Sequence, residues 1–555
     1  MRINLTCGGH GARRARPVVG RLALVVLAVA AAGAGGALAA SPALASSFVT
    51  VTTTSDENVV DGACSLREAI LYAQNLNGGN TDCGTVATGT TTIIVPAGHY
   101  AVRPGSPDAH LQIGAGGPGP VVIEGAGAAS TVIDAQGASP RLLLVGSGAT
   151  VIIRDLTLRG GVEFGSPGGG IDNAGSLTLD HVTVTANRTG LFNGGQGGGI
   201  YNTGTLNLID STVSGNSTGS GLPGLALATI SPCLFLPEPG QPGGDGGGLY
   251  NQGGMVTAIG TTFTGNTTGA GGDGSTRVNP PQCSSGSNGG GGGHGGNGGA
   301  IFNNDGFVTL RQSAVYGNTT GPGGTGGDGG DAQNAGGSGG EGGEGGSGAG
   351  LADNGGLLIV VNTTIAGNTT GHGGRPGQGG QNRLLVSNTS GVPGDGGHGA
   401  GIWQENGQST VQESTVAANA TGSAYVAGGV NLQPTGGGIE VVAGELTEID
   451  TIASNNGCYA WPTGQIKDGL SVGDGHLNLS YPTATCPGIV ANPLLQPLHD
   501  NGGPTQTMAI SPPSAALDRI PPTSAAGCTP TDQRGTPRPQ PPGGLCDIGA
   551  FEAAP

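Results

Sequence analysis

Of the 555 residues 120 are Gly, with 3% aromatic and 10% charged residues; an average chain has about 7% Gly. The formal net charge is −17 and Lys467 is the only lysine, which excludes a basic nucleic-acid face and Walker-type phosphate sites. No collagen-type G-x-y run occurs and 35% of residues are hydrophobic. The composition is that of an acidic, glycine-rich repeat protein.

Residues 1–45 read as an export signal. Arg13, Arg14, Arg16 and Arg21 precede the apolar stretch Leu22 to Ala32, and Ala43-Leu44-Ala45 offers a cleavage site before Ser46. The apolar run is shorter than the ~20 residues of a membrane span. Arg13-Arg14 leaves Sec and twin-arginine export both open. Eight cysteines follow the signal, as Cys64/Cys83, Cys233/Cys283, Cys458/Cys486 and Cys528/Cys546. An even number in an exported chain suits disulfides; neighbour pairing is one of 105 connectivities. No CxxC or Cys–His spacing suggests zinc.

Next comes CSLREAILYAQN at 64–75. Ser65, Leu66, Arg67 and Glu68 have capping-box spacing, and Leu66, Ile70 and Ala73 share one helical face. A short helix that plugs the first coil of a solenoid is expected, with Arg67 and Glu68 serving as cap and ion pair.

From 168 onward a unit recurs, such as GGGIYNTGTLNLIDSTVSGNST. Each begins with an apolar residue after glycines (Ile171, Ile200, Leu249, Ile301, Leu351, Ile402, Ile439). Each closes on Asn187, Asn216, Asn266, Asn318, Asn368, Asn419 or Asn455, 16 or 17 residues later. Connections between units vary widely, as stacked coils with external loops allow. Short alternating segments lack helical periodicity. The reading is an all-β, right-handed parallel β-helix with long Gly-rich loops. The closing Asn residues then form an axial ladder at a tight turn, where Asn tolerates left-handed geometry. A second ladder runs Asn173, Asn202, Asn251, Asn303, then Asp353 and Gln404. The Asn-x-Thr triplets on the first ladder read as structural, since a glycan would block stacking. A row of Thr183, Thr212, Thr262, Thr364, Thr415 and Thr451 is expected to face outward.

These features carry resemblances. Cys64-Ser65-Leu66-Arg67-Glu68-Ala69 matches the name-giving string of the CSLREA-domain exported proteins. The coils over 120–455 resemble pectate-lyase-like β-helices and the repeats of chlamydial polymorphic outer-membrane proteins. NPLLQPLHDNGGPTQTMAISPPSAALDRI (492–520) with TDQRGTPRPQPPGGLCDIGAFE (531–552) resembles the choice-of-anchor Q domain. The resemblances imply an exported, surface-related protein and supply no reaction. The expected organisation is signal 1–45, N-terminal cap region 46–110, β-helix 111–457 and C-terminal cap region 458–555.

Catalytic chemistry is hard to place. Gly-His-Gly around His294, His372 and His398 resembles a polygalacturonase motif but falls in low-complexity loops. Asp172, His181, Asp210, Glu413 and Asp450 read as occupying different core positions, and 2 Trp with 8 Tyr are sparse for sugar platforms. No catalytic, cofactor or metal residue is assigned. Gly-Gly-Asp-Gly fragments hint only weakly at Ca²⁺, without the nonapeptide period. The glycine loops are expected to be solvated and dispensable to the fold, although GGx triplets would pack as polyproline-II strands if ordered. The expected function is a monomeric, non-catalytic scaffold for adhesion or for contact with glycan, cell wall or a neighbouring surface, with no nucleic-acid partner. A polysaccharide lyase or glycoside hydrolase is the alternative, an ice-binding protein the minor one.

Overall fold

A computed structural model describes residues 46–554 apart from 103–109, 138–140, 191–194, 226, 229–234, 277–278, 280–281, 384–385, 425–435, 470–476 and 523–527. The signal segment 1–45 and Cys233 lie outside the described residues.

The body is a right-handed parallel β-helix. Successive coils contribute to an 18-stranded sheet A and a 12-stranded sheet B, each strand pairing in parallel with its equivalent one coil on. Stacking puts like on like. Ile171, Ile200, Leu249, Ile301, Leu351, Ile402 and Ile439 are in register and essentially inaccessible. Leu177, Leu206, Val256, Val308, Leu358 and Leu446 line the same interior.

The turn after each sheet B strand from Thr183–Thr185 to Ile452–Ser454 is closed by asparagine. The Asn216 Oδ1 accepts from both the backbone N–H and the Nδ2 of Asn187, each at 3.0 Å. The pattern repeats through Asn266, Asn318, Asn368 and Asn419. Each Nδ2 also donates to a carbonyl one coil back, as Asn266 does to Val213 at 2.9 Å. These side chains are buried and their amides are committed. The last member is Asn456, not Asn455: Asn419 donates to the Asn456 Oδ1 at 3.1 Å. Asn455 has φ +53 and stands where earlier coils place Gly215, Gly265, Gly317 and Gly367 in the left-handed region. The left-handed residue thus precedes the ladder asparagine. With the same one-residue shift, Ile452 rather than Thr451 pairs with Thr415, and Ala453 is the inward residue. Thr451 joins a buried hydroxyl row with Ser211, Thr261, Ser313, Thr363 and Ser414, each bonded to the carbonyl two residues back. Asn266→Ala should orphan two donors of Asn216 in a buried turn. A loss on the order of 1–3 kcal/mol is expected in chemical denaturation; an unchanged midpoint would refute the ladder's contribution.

The helix Leu66–Ala73 closes the first coil. Ser65 and Glu68 form a reciprocal capping box, and Leu66, Ala69, Ile70 and Ala73 enter the core. Arg67 pairs with Asp56 at 2.7 Å, both side chains nearly inaccessible. Glu68 also accepts from Val59 N–H and Asn80 Nδ2. Cys64 is bonded to Cys83, Cys458 to Cys486 and Cys528 to Cys546; Cys283 is disulfide-bonded as well.

The glycine connections are packed structure rather than solvated loops. Gly286, Gly289, Gly292 and Gly295 donate to Ala335, Ser338, Glu341 and Glu344 one coil on. On another face Gly290, Gly293 and Gly296 donate to Ser275, Gly272 and Gly269 of an antiparallel segment. A three-residue hydrogen-bond period with inter-strand partners is that of a polyproline-II bundle. Glycine is required because chains approach too closely for a Cβ: one added to Gly293 would lie 2.1 Å from the Gln241 carbonyl oxygen. The acidic residues of these segments bind backbone across coils. Asp273 accepts from Thr325 N–H, Asp328 from Gln378 and Asp331 from Gln381, at 2.6–2.8 Å.

The C-terminal segment is not an end cap of the solenoid. Residues 492–522 and 528–553 lie along the side of sheet B and its corner. Ile452 and Leu479 join Ile510, Ile520 and Ile548 in a separate core, with Phe551 packed against it. The Thr364 hydroxyl donates to Gln533 at 2.6 Å, and Thr415 Oγ1 accepts from Ala550 N–H. Two members of the outward Thr row are therefore covered, which removes the continuous flat face an ice binder needs. The latch is ionic at its centre: Arg538, fully buried, lies 3.4 Å from Glu413 and 3.7 Å from Glu552, and Thr529 donates its N–H and hydroxyl to Glu413.

Candidate functional site

In sheet A the residue after each inward Ile or Leu points outward. Asp172, Tyr201, Tyr250, Phe302, Ala352, Trp403, Glu440 and Tyr459 stand in register as one column. Tyr201 and Tyr250 stack with ring centroids 5.6 Å apart, Tyr250 and Phe302 at 5.1 Å. In mid-column the returning glycine segments lie over the rings, leaving Tyr250 and Phe302 only 3% and 5% accessible. Burial pushes the Tyr250 phenol well above its usual value. These aromatics are glue between sheet and bundle.

The column surfaces at its far end. Trp403 is partly buried, whereas Tyr459 and Trp461 are 37% and 43% accessible. Their rings meet edge to face, 5.7 Å apart at 86°. Glu440 lies beneath, with its side chain 1% exposed. Its Oε1 accepts from the Trp461 indole N–H at 2.8 Å, and its Oε2 faces His398 Nδ1 at 3.2 Å. The bond to Glu440 raises the His398 pKa; burial opposes it, and Glu344 and Asp395 add to the rise. Both carboxylate oxygens are engaged, so Glu440 fixes the indole and the imidazole rather than standing open as a base. Of the two tryptophans in the chain, Trp461 is thus bonded to the Glu440 carboxylate, while Trp403 and Tyr459 flank Glu440 in register. Such faces can stack on apolar ring surfaces while a polar rim supplies hydrogen bonds.

The other candidates fall elsewhere. Asp172, at the near end of the column, is paired with Arg141; burial raises its pKa, against the pull of Arg141. His181, Asp210, Glu413 and Asp450 do not occupy different positions: all have left-handed φ at the same corner, together with Asp155, Gln312 and Asn362. Glu413 and Asp450 are buried against the C-terminal segment. His181 remains exposed, 2.7 Å from Asp180 and 3.9 Å from Asp210, and Asp180 raises its pKa. His294 and His372 sit on the bundle, near Glu344 and Ser423. Of the three Gly-His-Gly histidines, His398 alone is paired with Glu440. Among the described residues no group of three or more His, Cys, Asp or Glu side chains is placed to hold a metal ion. Sequence reading missed the aromatic corner because Trp403 and Trp461 are far apart in the chain. The aligned position after Ile402 and Ile439 was the signal available.

No family model matches the chain, and no curated protein matches it in sequence. Among solved structures it is similar to the A-module of mannuronan C-5 epimerase AlgE4 of Azotobacter vinelandii, at 15% identity, covering 74% of this chain and 95% of that one with a TM-score of 0.27. It is similar also to pectate lyase Pel9A, at 12% identity over 91% of this chain and 96% of that one, TM-score 0.31. A third is the catalytic domain of a GH87 α-1,3-glucanase, at 11% identity over 76% and 68%, TM-score 0.22.

Proposed function

We propose that this is an exported, surface-associated β-helix scaffold that binds glycan at the Trp403–Tyr459–Trp461 corner. The observation that carries the reading is the exposed, edge-to-face Tyr459–Trp461 pair held by Glu440. Sugar rings bind by laying C–H faces on aromatic rings, and an indole fixed through its N–H is preorganised for that. Export is supported by the disulfides, which belong to an oxidising compartment, and by the resemblance of 64–69 and 492–552 to CSLREA and choice-of-anchor Q proteins. No helix among the described residues is long and apolar enough to cross a membrane. A monomer is supported by the last strand of sheet A, Cys458–Asp468. It carries Pro462 and the chain's single lysine, Lys467, devices that discourage edge-to-edge pairing.

The test is a glycan panel read by tryptophan fluorescence and affinity electrophoresis, with reducing-end release followed in parallel. Trp461→Ala should lower affinity at least tenfold, about 1.4 kcal/mol or more, and leave the β-sheet circular dichroism unchanged. Equal binding by the variant would reject this corner. Release of reducing ends by the wild type would replace the scaffold with a polysaccharide-cleaving enzyme.

A further inference from the structure

We infer that the glycan accepted at this corner is uncharged, and that polyuronates are excluded from it; the inference rests on the glycan-binding reading above. Basic residues are scarce in the coils that build the corner. From residue 384 to residue 518 the chain contains no Lys or Arg except Lys467, and Lys467 is ion-paired with Glu445. One carboxylate lies beneath the aromatic pair, and two more act on the histidine that faces it. Glu440 lies beneath it, at 2.8 Å from the Trp461 indole nitrogen. Glu344 and Asp395, on the adjoining bundle columns, are close enough to act electrostatically on His398. The imidazole that faces Glu440 is therefore already matched by negative charge.

A polyuronate brings one carboxylate per sugar. Binding it needs arginine, lysine or a bridging cation to offset that charge, and the coils from 384 to 518 supply none beyond Lys467, which is already paired. Like charges within a Debye length of about 8 Å at physiological salt repel, so the field turns such chains away before the rings can stack. An uncharged hexose chain meets no such field. Its C–H faces can lie on Trp461 and Tyr459 and its hydroxyls can reach the partly exposed His398.

Full-length protein titrated at low salt with neutral gluco-oligosaccharides, oligogalacturonate and oligomannuronate provides the test. At least one neutral ligand should shift tryptophan emission with an affinity nearly independent of salt. Uronates should bind at least tenfold more weakly, with some recovery at 0.5 M NaCl as repulsion is screened. The double variant Glu344→Gln/Asp395→Gln, at two exposed positions, should narrow that gap and leave neutral-sugar binding unchanged. Uronate binding as tight as neutral binding, lost in Trp461→Ala, would overturn the charge inference and keep the site. Absence of response to every glycan would overturn the glycan-binding reading, and the charge inference with it.

Discussion

Gly343→Ala should melt far below the wild type, whereas Gly291→Ala should melt at or slightly above it. A Cβ on Gly343 would lie 1.9 Å from the Gly293 carbonyl oxygen and 2.6 Å from its carbon. The same residue donates to Gly324 and accepts from Gly374, at 2.9 and 2.7 Å, so three chains meet there with no flexible side chain to yield. Overpacking in a fitted core costs about 1–3 kcal/mol, and forced separation of backbone partners adds the unmade hydrogen bonds. At Gly291 the nearest atom to a new Cβ is the Glu341 oxygen at 3.8 Å; alanine fits, and restriction of the unfolded chain should contribute about 0.4–1 kcal/mol. Deletion of 321–345 should be severe for the same reason: it removes the layer that pairs with 269–275 and 286–296 on one side and with 371–381 and 388–397 on the other. Thermal melts and amide exchange of the glycine N–H groups read the outcome. If Gly343→Ala and the deletion both melt like the wild type, the bundle is not close-packed in solution.

What could be read from the sequence was whatever repeats locally. The inward Ile after the glycines, the ladder asparagines and the capping box at Ser65 each declare themselves within one coil, because stacking demands the same residue at the same place. The last coil misled because Ile452 and Asn455 imitate an inward residue and a ladder residue. A constant spacing of 17, kept in the four coils before it, would have selected Asn456. The bundle was visible as GGx triplets, but its partners lie in other coils, and length-based loop entropy says nothing about chains that pack. Docking of 492–522 and 528–553 on sheet B was not legible, since threonine suits an outward strand whether water or another segment covers it. The aromatic corner exists only through stacking, which brings residues 403, 440, 459 and 461 to one edge.

Asp353→Asn should leave stability nearly unchanged at pH 5 and raise it by roughly 1–3 kcal/mol at pH 9. Along the interior ladder each asparagine donates Nδ2 to the next Oδ1: Asn173 to Asn202, Asn202 to Asn251 and Asn251 to Asn303, at 2.7–2.8 Å. Asn303 then donates to the Asp353 Oδ1 at 2.6 Å. There the donors run out. Asp353 Oδ2 and Gln404 Oε1 are buried without hydrogen-bond partners, and the two residues are neighbours in register. A proton on Asp353 would let Oδ2 donate to Gln404 and carry the ladder forward. Burial pushes the Asp353 carboxyl up to about 7, against the hydrogen bonds from Asn303 and Gly356. The unfolded value is near 3.9, so between those values the folded state holds a proton that the unfolded state has lost. Stability from this group is then fullest in acid and falls by roughly 1.4 kcal/mol per pH unit toward neutrality, levelling off above the folded value. Glu448 and Glu552 are raised by burial too, to about 8 and about 7, but they remain in both proteins, so the difference between variant and wild type isolates Asp353. An asparagine supplies the missing donor at every pH. Urea midpoints at pH 5, 7 and 9 measure this, and a variant-minus-wild-type difference that does not change with pH would show that Asp353 carries no such proton.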